Sequence, residues 1–466
     1  MNKKRFAAWF AVVAIVAVVA SCKSLPNSLP SSESMPAQAS RTVPTVATGR
    51  GEMKQQQASD LLKRRWARAT PDLKALAVLE EQATSVPLIA GNKVSLLFDG
   101  PATMRAMMEA ARAATTSINL ESYIFDHDEI GRQFAEILIQ KRREGVVVNM
   151  MVDGVGTLAT PREFFDHLRA GGVNVLIFNP VNPTKRPGKW QLNNRDHRKI
   201  MVVDGKVAFT GGINISSTYA NSSLFRSKKR PDNVNKDDVG WRDTHIKIEG
   251  PAVAALQWSF IDNWVHQDAG ELPQIDYFPR LAPVGDKVVR VLATTPDRDS
   301  EIYKSLVVAI GESKKSIHLT AAYFVPDRQI VDSLIAAARR GVDVQLVLPG
   351  VSDHSFIKSA GESFYDELLA GGVRIFQLQV AVLHAKTTVI DGMWSSIGSA
   401  NIDRRSFIHN YEVNVVVLDP AFGRDMEAAF REDLRHSKEV TLAAWKARPW
   451  SDRLREAMSR LTEYWI

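Results

Sequence analysis

His197-Arg198-Lys199-Ile200-Met201-Val202-Val203-Asp204 and His384-Ala385-Lys386-Thr387-Thr388-Val389-Ile390-Asp391 are the two stretches that decide how this chain is built. Each sets a histidine two positions before a lysine and closes with an aspartate. Each is followed by a small-residue turn ending in asparagine, Gly211-Gly212-Ile213-Asn214 in one case and Gly398-Ser399-Ala400-Asn401 in the other. The apolar run between lysine and aspartate reads as a strand, and Asp204-Gly205 and Asp391-Gly392 are tight-turn signals. Residues two apart on a strand share a face with Cα atoms about 6.5 Å apart, so His197 with Lys199, and His384 with Lys386, can reach one phosphate. A buried histidine and a turn aspartate would explain a single copy; two copies with one spacing call for shared chemistry. For Asp204 and Asp391, catalysis and plain turn formation explain the pattern equally well.

Moving outward, further landmarks recur in the same order. Ser117-Ile118-Asn119-Leu120 with Tyr123 corresponds to Ser316-Ile317-His318-Leu319 with Tyr323. Gly145-Val146 corresponds to Gly341-Val342, and Leu168 to Val173 corresponds to Leu368 to Val373. Amphipathic helical segments such as 130–143 and 330–340 lie between them. Strands alternating with helices predict an α/β fold: two fused repeats, each a mixed β-sheet flanked by helices, related by a pseudo-two-fold axis with one shared active site. The boundaries fall near 86–285 and 286–466, preceded by a helical lead-in over 58–85.

The chain has 466 residues, a formal net charge of +7 and one cysteine. An internal disulfide and a cysteine-cluster metal site are thereby excluded, and the mild basicity suits anionic partners. The single cysteine follows Lys3-Lys4-Arg5, an apolar run from Phe6 to Ala20, and Ser21. That order predicts a lipoprotein-like signal peptide over 1–21 with Cys22 lipidated, and hence a membrane-anchored bacterial lipoprotein facing the periplasm or the cell exterior; an uncleaved anchor helix is the alternative, for which the run is short. Residues 22–57, rich in Ser, Pro and Gln, read as a disordered tether.

Phosphodiester cleavage needs a nucleophile, a cationic clamp for the non-bridging oxygens and an acid for the departing alcohol, and two His/Lys pairs supply all three. A protonated lysine is a poor metal ligand, so no metal and no cofactor is expected. These motifs resemble the paired HKD motifs of the phospholipase D superfamily. Leu120-Glu121-Ser122-Tyr123-Ile124-Phe125, Trp241-Arg242-Asp243-Thr244-His245, Tyr323-Phe324-Val325-Pro326-Asp327 and Asn410-Tyr411-Glu412-Val413-Asn414 narrow the similarity to bacterial cardiolipin synthases. The resemblance spans about residues 86–466. It implies a phosphohistidine intermediate in which one histidine attacks phosphorus and the other protonates the leaving oxygen. It further implies that Asp243 and Glu412 orient the imidazoles, while Asn214 and Asn401 are expected to donate to phosphate oxygens.

The implied activity is condensation of two phosphatidylglycerol molecules to cardiolipin and glycerol. Hydrolysis to phosphatidic acid would use the same residues in the same roles. A nuclease fits the fused pair less well, since superfamily nucleases typically carry one motif per chain, and nucleic acid is an unlikely partner. A non-catalytic membrane-binding protein would be expected to have lost a histidine or lysine, and none is missing. The first repeat carries two insertions beside its motif, one with Lys185, Arg186, Lys189 and Trp190, the other with Phe225, Arg226, Lys228, Lys229 and Arg230. Basic loops of this kind suit a lipid membrane surface, with solvated loops as the equal alternative. In the C-terminal segment Leu454, Met458, Leu461 and Trp465 fall at helical spacing, and packing into the core is expected ahead of docking at an interface.

Overall fold

A computed structural model describes residues 24–36, 42–67, 73–185, 191, 193–220, 240–267, 270–296 and 300–460. The expected leader, Cys22, the insertion residues 186–190 and 225–230, and Leu461 to Ile466 lie outside the described residues. Val46–Thr48 (β1) and Gly51–Glu52 (β2) form a short hairpin, and β1 runs parallel to the start of Leu88–Leu97 (β3). Ordered structure therefore begins inside the expected tether of 22–57. Its cause is apolar: Leu25 and Val46 are buried in the main core. The lead-in becomes two helices, Gln55–Trp66 and Leu73–Thr84. Both pack onto the second half of the chain, where the Trp66 indole donates to the Leu418 carbonyl (3.0 Å) and the Trp394 indole donates to Glu80 (2.8 Å).

From there the two halves repeat one plan. Among the described residues the first half supplies β3, Ser117–Ser122 (β4), Val147–Asp153 (β5), Asn174–Phe178 (β6), Arg195–Asp196 (β7), Lys199–Val203 (β8), Val207–Gly211 (β9), Trp241–Arg242 (β10) and His245–Glu249 (β11). The second supplies Lys287–Thr294 (β12), Ser316–Ala321 (β13), Phe324–Val325 (β14), Asp343–Val351 (β15), Arg374–Leu383 (β16), Lys386–Ile390 (β17), Trp394–Gly398 (β18), Ile402–Asp403 (β19), Asn410–Leu418 (β20) and Ser437–Val440 (β21). The first sheet runs β3-β11-β9-β8-β4-β5-β6. The second runs β12-β20-β18-β17-β13-β15-β16, which is the same order with the same parallel and antiparallel neighbours. An antiparallel pairing of β3 with β12 joins them. The expected mixed α/β architecture of two equivalent halves is thus what the chain adopts.

Strand alternation divides the core. Along β8, Met201 and Val203 enter a cluster under the helices Gly100–Ala113 and Glu129–Arg143, while Ile200 and Val202 enter one shared with Val413, Val415 and Val417 of β20. Because successive side chains point to opposite faces, a strand buried on both sides must be apolar throughout, as Ile200 to Val203 is. This central cluster binds the halves face to face. Two short arms then cross between them: β7 pairs in parallel with β20, Asp196 opposite Tyr411, and β10 pairs in parallel with β16, Arg242 opposite Leu383.

The motif aspartates have a different position from that expected of catalytic groups. Asp204 stands in the left-handed region (φ 53°) at the far end of β8, about 16 Å along the strand from Lys199 at the usual rise per residue. Its carboxylate accepts from the backbone N–H groups of Thr115, Thr116 and Ser117 (2.9, 2.7 and 2.9 Å) and from the Thr115 hydroxyl (2.8 Å). Asp391 (φ 54°) does the same for Lys314, Lys315 and Ser316. Both aspartates therefore fasten the entry of a central strand, and they are corrected from catalytic candidates to anchors of the sheet. Burial opposes ionisation of Asp204, but the donors outweigh it and hold its carboxyl below the ordinary value. Its stabilisation is accordingly full above the unfolded value near 4 and lost as pH falls through the lower folded one. Asp204→Asn, which tolerates the same backbone conformation, should cost about 1–2 kcal/mol at pH 7, with the deficit narrowing below pH 4 in thermal unfolding and activity held within about threefold. A loss of activity without a change in melting would restore the catalytic reading.

Candidate active site

The crossing arms decide which groups meet. Following β7, the His197 N–H donates to the Tyr411 carbonyl (3.0 Å), which brings the ring beside the next residue on β20, Glu412. Following the end of β16, the His384 N–H donates to the Arg242 carbonyl (2.8 Å), one residue before Asp243. His197 Nδ1 lies 3.0 and 3.1 Å from the two Glu412 carboxylate oxygens. His384 Nδ1 lies 2.7 Å from Asp243 Oδ2. Each imidazole of one half is thus held by the carboxylate of the other. With Nδ1 donating to a carboxylate, Nε2 of each ring is the atom left for chemistry.

The setting is dry. His197, Lys199, His384, Lys386, Asp243 and Glu412 are all buried. Burial depresses His197 to about 4, against the opposing pull of Glu412, and Lys199 to about 7. Burial followed by Lys386, whose Nζ lies 3.0 Å from Nδ1, drives His384 well below its usual range. Burial thus favours the neutral form of both imidazoles, and Lys199 is less firmly protonated than its residue type suggests. An anionic phosphate would supply the missing countercharge. The four groups share one field: Lys386 acts on His197, while Lys199 and His197 act on His384. Lys199 and Lys386 each donate to the carbonyl of their own motif histidine, Lys199 at 2.6 Å.

The two carboxylates differ. Burial resists ionisation of Glu412, but His197, Lys199 and the Ser399 hydroxyl overcome it and hold the carboxyl below its usual range. Position 212 is the counterpart of Ser399 and carries glycine. A Cβ there would stand 2.2 Å from Asp243 Oδ1, so only glycine admits that carboxylate. Lacking such a hydroxyl, Asp243 is raised by burial to about 6.

The two asparagines differ. Asn214 is engaged within the protein, its Oδ1 accepting from the Ile124 N–H (3.1 Å) and its Nδ2 donating to the Tyr219 hydroxyl (2.8 Å). The Asn401 backbone N–H donates to Ser406 Oγ (3.1 Å), which leaves the expectation for its side-chain amide standing. Aromatic neighbours went unassigned in the sequence. Tyr123 packs edge-on against His197 (5.0 Å between centroids), and Tyr323, Tyr219 and Trp241 surround His384 at 6.3, 5.6 and 5.1 Å. Tyr123 and Tyr323 occupy matching places in the repeats, a signal that could have singled them out. Tyr219 and Trp241 are brought to His384 only by folding. The expectation for the basic insertions cannot be placed, since their charged cores lie outside the described residues.

The chain is similar to known proteins. The family described as cardiolipin synthase, PLD-like domain, matches residues 107–224 and 306–434. The cardiolipin synthase of Geobacillus kaustophilus is 36% identical over 378 residues, covering 80% of this chain and 72% of that one. The major cardiolipin synthase of Bacillus subtilis is 33% identical over 399 residues, covering 84% and 80%. In fold, the chain is similar to the crystal structure of phosphatidylserine synthase from Haemophilus influenzae, with a TM-score of 0.63 at 14% identity over 83% of this chain and 99% of that one. The kinship corrects one expectation. The match to bacterial cardiolipin synthases overturns the expected lipoprotein facing the periplasm or the cell exterior. Among the described residues no helix is long and apolar enough to cross a membrane. With both motifs inside the matched regions and relatives aligned over most of their length, the chain belongs to the cardiolipin synthase family of the phospholipase D superfamily.

Proposed function

We propose that the chain condenses two phosphatidylglycerol molecules into cardiolipin and glycerol. The observation that carries this reading is the crossed pairing of His197 with Glu412 and of His384 with Asp243. It leaves two Nε2 atoms, from opposite halves, to address one phosphorus. A neutral imidazole attacks phosphorus, and the bond to the departing glycerol oxygen breaks as the second ring, protonated once the anionic substrate is bound, gives that oxygen its proton. The second ring, now neutral, takes the proton of the incoming glycerol hydroxyl. That oxygen then displaces the first histidine, and the enzyme returns to its starting state. The lysine ammonium groups balance the charge on the non-bridging oxygens. Burial of the whole constellation favours a lipid alcohol over water as acceptor.

The reading is tested by giving the purified protein phosphatidylglycerol and resolving the lipid products by mass. Cardiolipin with glycerol is the expected outcome, and phosphatidic acid as the main product would replace transfer with hydrolysis. His197→Ala and His384→Ala should each lower turnover by at least about 10³-fold; full activity in either variant would refute a shared phosphorus. Asp243 accepts from His384 only as a carboxylate, so activity should decline as pH falls through about 6. Asp243→Asn should be slower by about 10- to 100-fold, by analogy with the orienting partners of other catalytic histidines, and should lose that acidic limb. Persistence of the limb in this variant would assign it to another group.

A further inference from the structure

The C-terminal helix Trp450–Arg460 is packed inside out. At 100° per residue, Trp450, Leu454 and Met458 fall within an arc of about 80°, and they are 76%, 51% and 62% exposed. The side turned to the protein is polar: Glu456 and Ser459 are buried at 4% and 1%. Glu456 receives the Arg448 guanidinium (2.6 and 3.1 Å), and the Arg455 guanidinium donates to Ser359 Oγ (3.2 Å). The expected core packing of Leu454 and Met458 is therefore not what the chain does. Burying an ion pair while exposing three large apolar side chains reverses the ordinary preference. Exposed Arg453, Arg455 and Arg460 lie on the same helix and exposed Lys446 just before it, with Arg455 paired to Asp452 (3.2 Å) and Arg460 3.8 Å from Glu367.

The position of the helix gives this face a use. It lies on helix Ser355–Glu362, which presents Phe356 to solvent at 51% exposure. That second helix adjoins the catalytic centre: Gly361 sits so close to the Phe324 carbonyl that a Cβ would be 2.5 Å away. Just before it, Asp353 accepts from the hydroxyl of Tyr323 (2.7 Å), the ring that stands edge-on to His384. The helix that carries the apolar stripe thus packs on one that carries exposed Phe356 and leads to the wall of the site.

We propose that Trp450, Leu454 and Met458, with Phe356, form a docking face for the surface of an anionic lipid bilayer, seating the enzyme beside His384. An amphipathic stripe with a tryptophan at one end and cationic neighbours is the pattern that settles between headgroups and acyl chains, and the basic residues complement anionic headgroups. The inference rests on the lipid-substrate reading above.

The test uses the full chain on phosphatidylglycerol vesicles containing brominated lipid, with a readout local to the helix. Tryptophan quenching should fall measurably in Trp450→Phe relative to the unaltered protein, because Trp450 sits in the interface. The double variant Leu454→Glu/Met458→Glu, at exposed positions whose substitution should leave the melting temperature unchanged, should lower cardiolipin formation on vesicles at least fivefold. Its turnover of dispersed short-chain phosphatidylglycerol should stay within twofold. Equal quenching with and without Trp450, or an undiminished rate on vesicles, would overturn the docking face. An unaltered protein that makes no cardiolipin from either substrate, yet shows quenching specific to Trp450, would sink the catalytic reading and leave the docking face standing.

Discussion

Each imidazole in this protein is oriented by a carboxylate that belongs to the opposite half of the chain, and the rest of the architecture follows from that exchange. His197 and Glu412 are 215 residues apart and His384 and Asp243 are 141 apart, so neither pair exists until the two sheets have closed on one another. The antiparallel joint of β3 with β12, the central valine cluster and the crossing arms of β7 and β10 all bring those pairs to hydrogen-bonding distance. Loss of face-to-face packing would therefore remove both oriented rings together, and one repeat alone has no means of supplying either partner.

Placing so many ionisable groups in a dry interior is costly unless they offset one another. Here the offsets are specific. Glu412 gains the Ser399 hydroxyl and the His197 ring, whereas Asp243 has glycine at the position matching Ser399 and is raised toward neutral pH. The repeats thus share a backbone plan and diverge in the electrostatics of their carboxylates. Two dyads alike in topology are unlike in readiness to hold a negative charge, as a reaction with a separate nucleophile and acid demands. Farther out the same economy of pairing recurs: Glu80, buried and pushed toward its protonated form, is held by Ser305 and Trp394. It thereby locks the lead-in helix onto the second sheet, a long way in sequence from the half that it precedes.

The histidines and lysines were legible because duplication writes the same spacing twice, whereas Asp243 and Glu412, which stand at different distances from their motifs, were suggested by the family resemblance. Their partnership was not, since aligning Asp243 with Glu412 says that both are acids after a motif without saying which ring each will meet. Asp204 and Asp391 were as conspicuous as the histidines, yet they lie at the opposite end of their strands, where three backbone N–H groups claim each carboxylate. The helical period of Leu454 and Met458 was equally plain, and it specified an amphipathic face without specifying the direction in which the face would turn.

By itself the amino-acid sequence determined local matters: where strands and helices form, that the unit occurs twice, and which residue types stand at the motif positions. These depend on periodicity, turn chemistry and spacing, all of which act within about a dozen residues. Only tertiary structure decided that the arms cross, that each histidine borrows its carboxylate from the other repeat, that the motif aspartates anchor strands, and that the last helix shows its apolar side to solvent. Those outcomes depend on contacts between residues 75 to 215 positions apart, whose geometry comes into being only when distant segments are packed against each other.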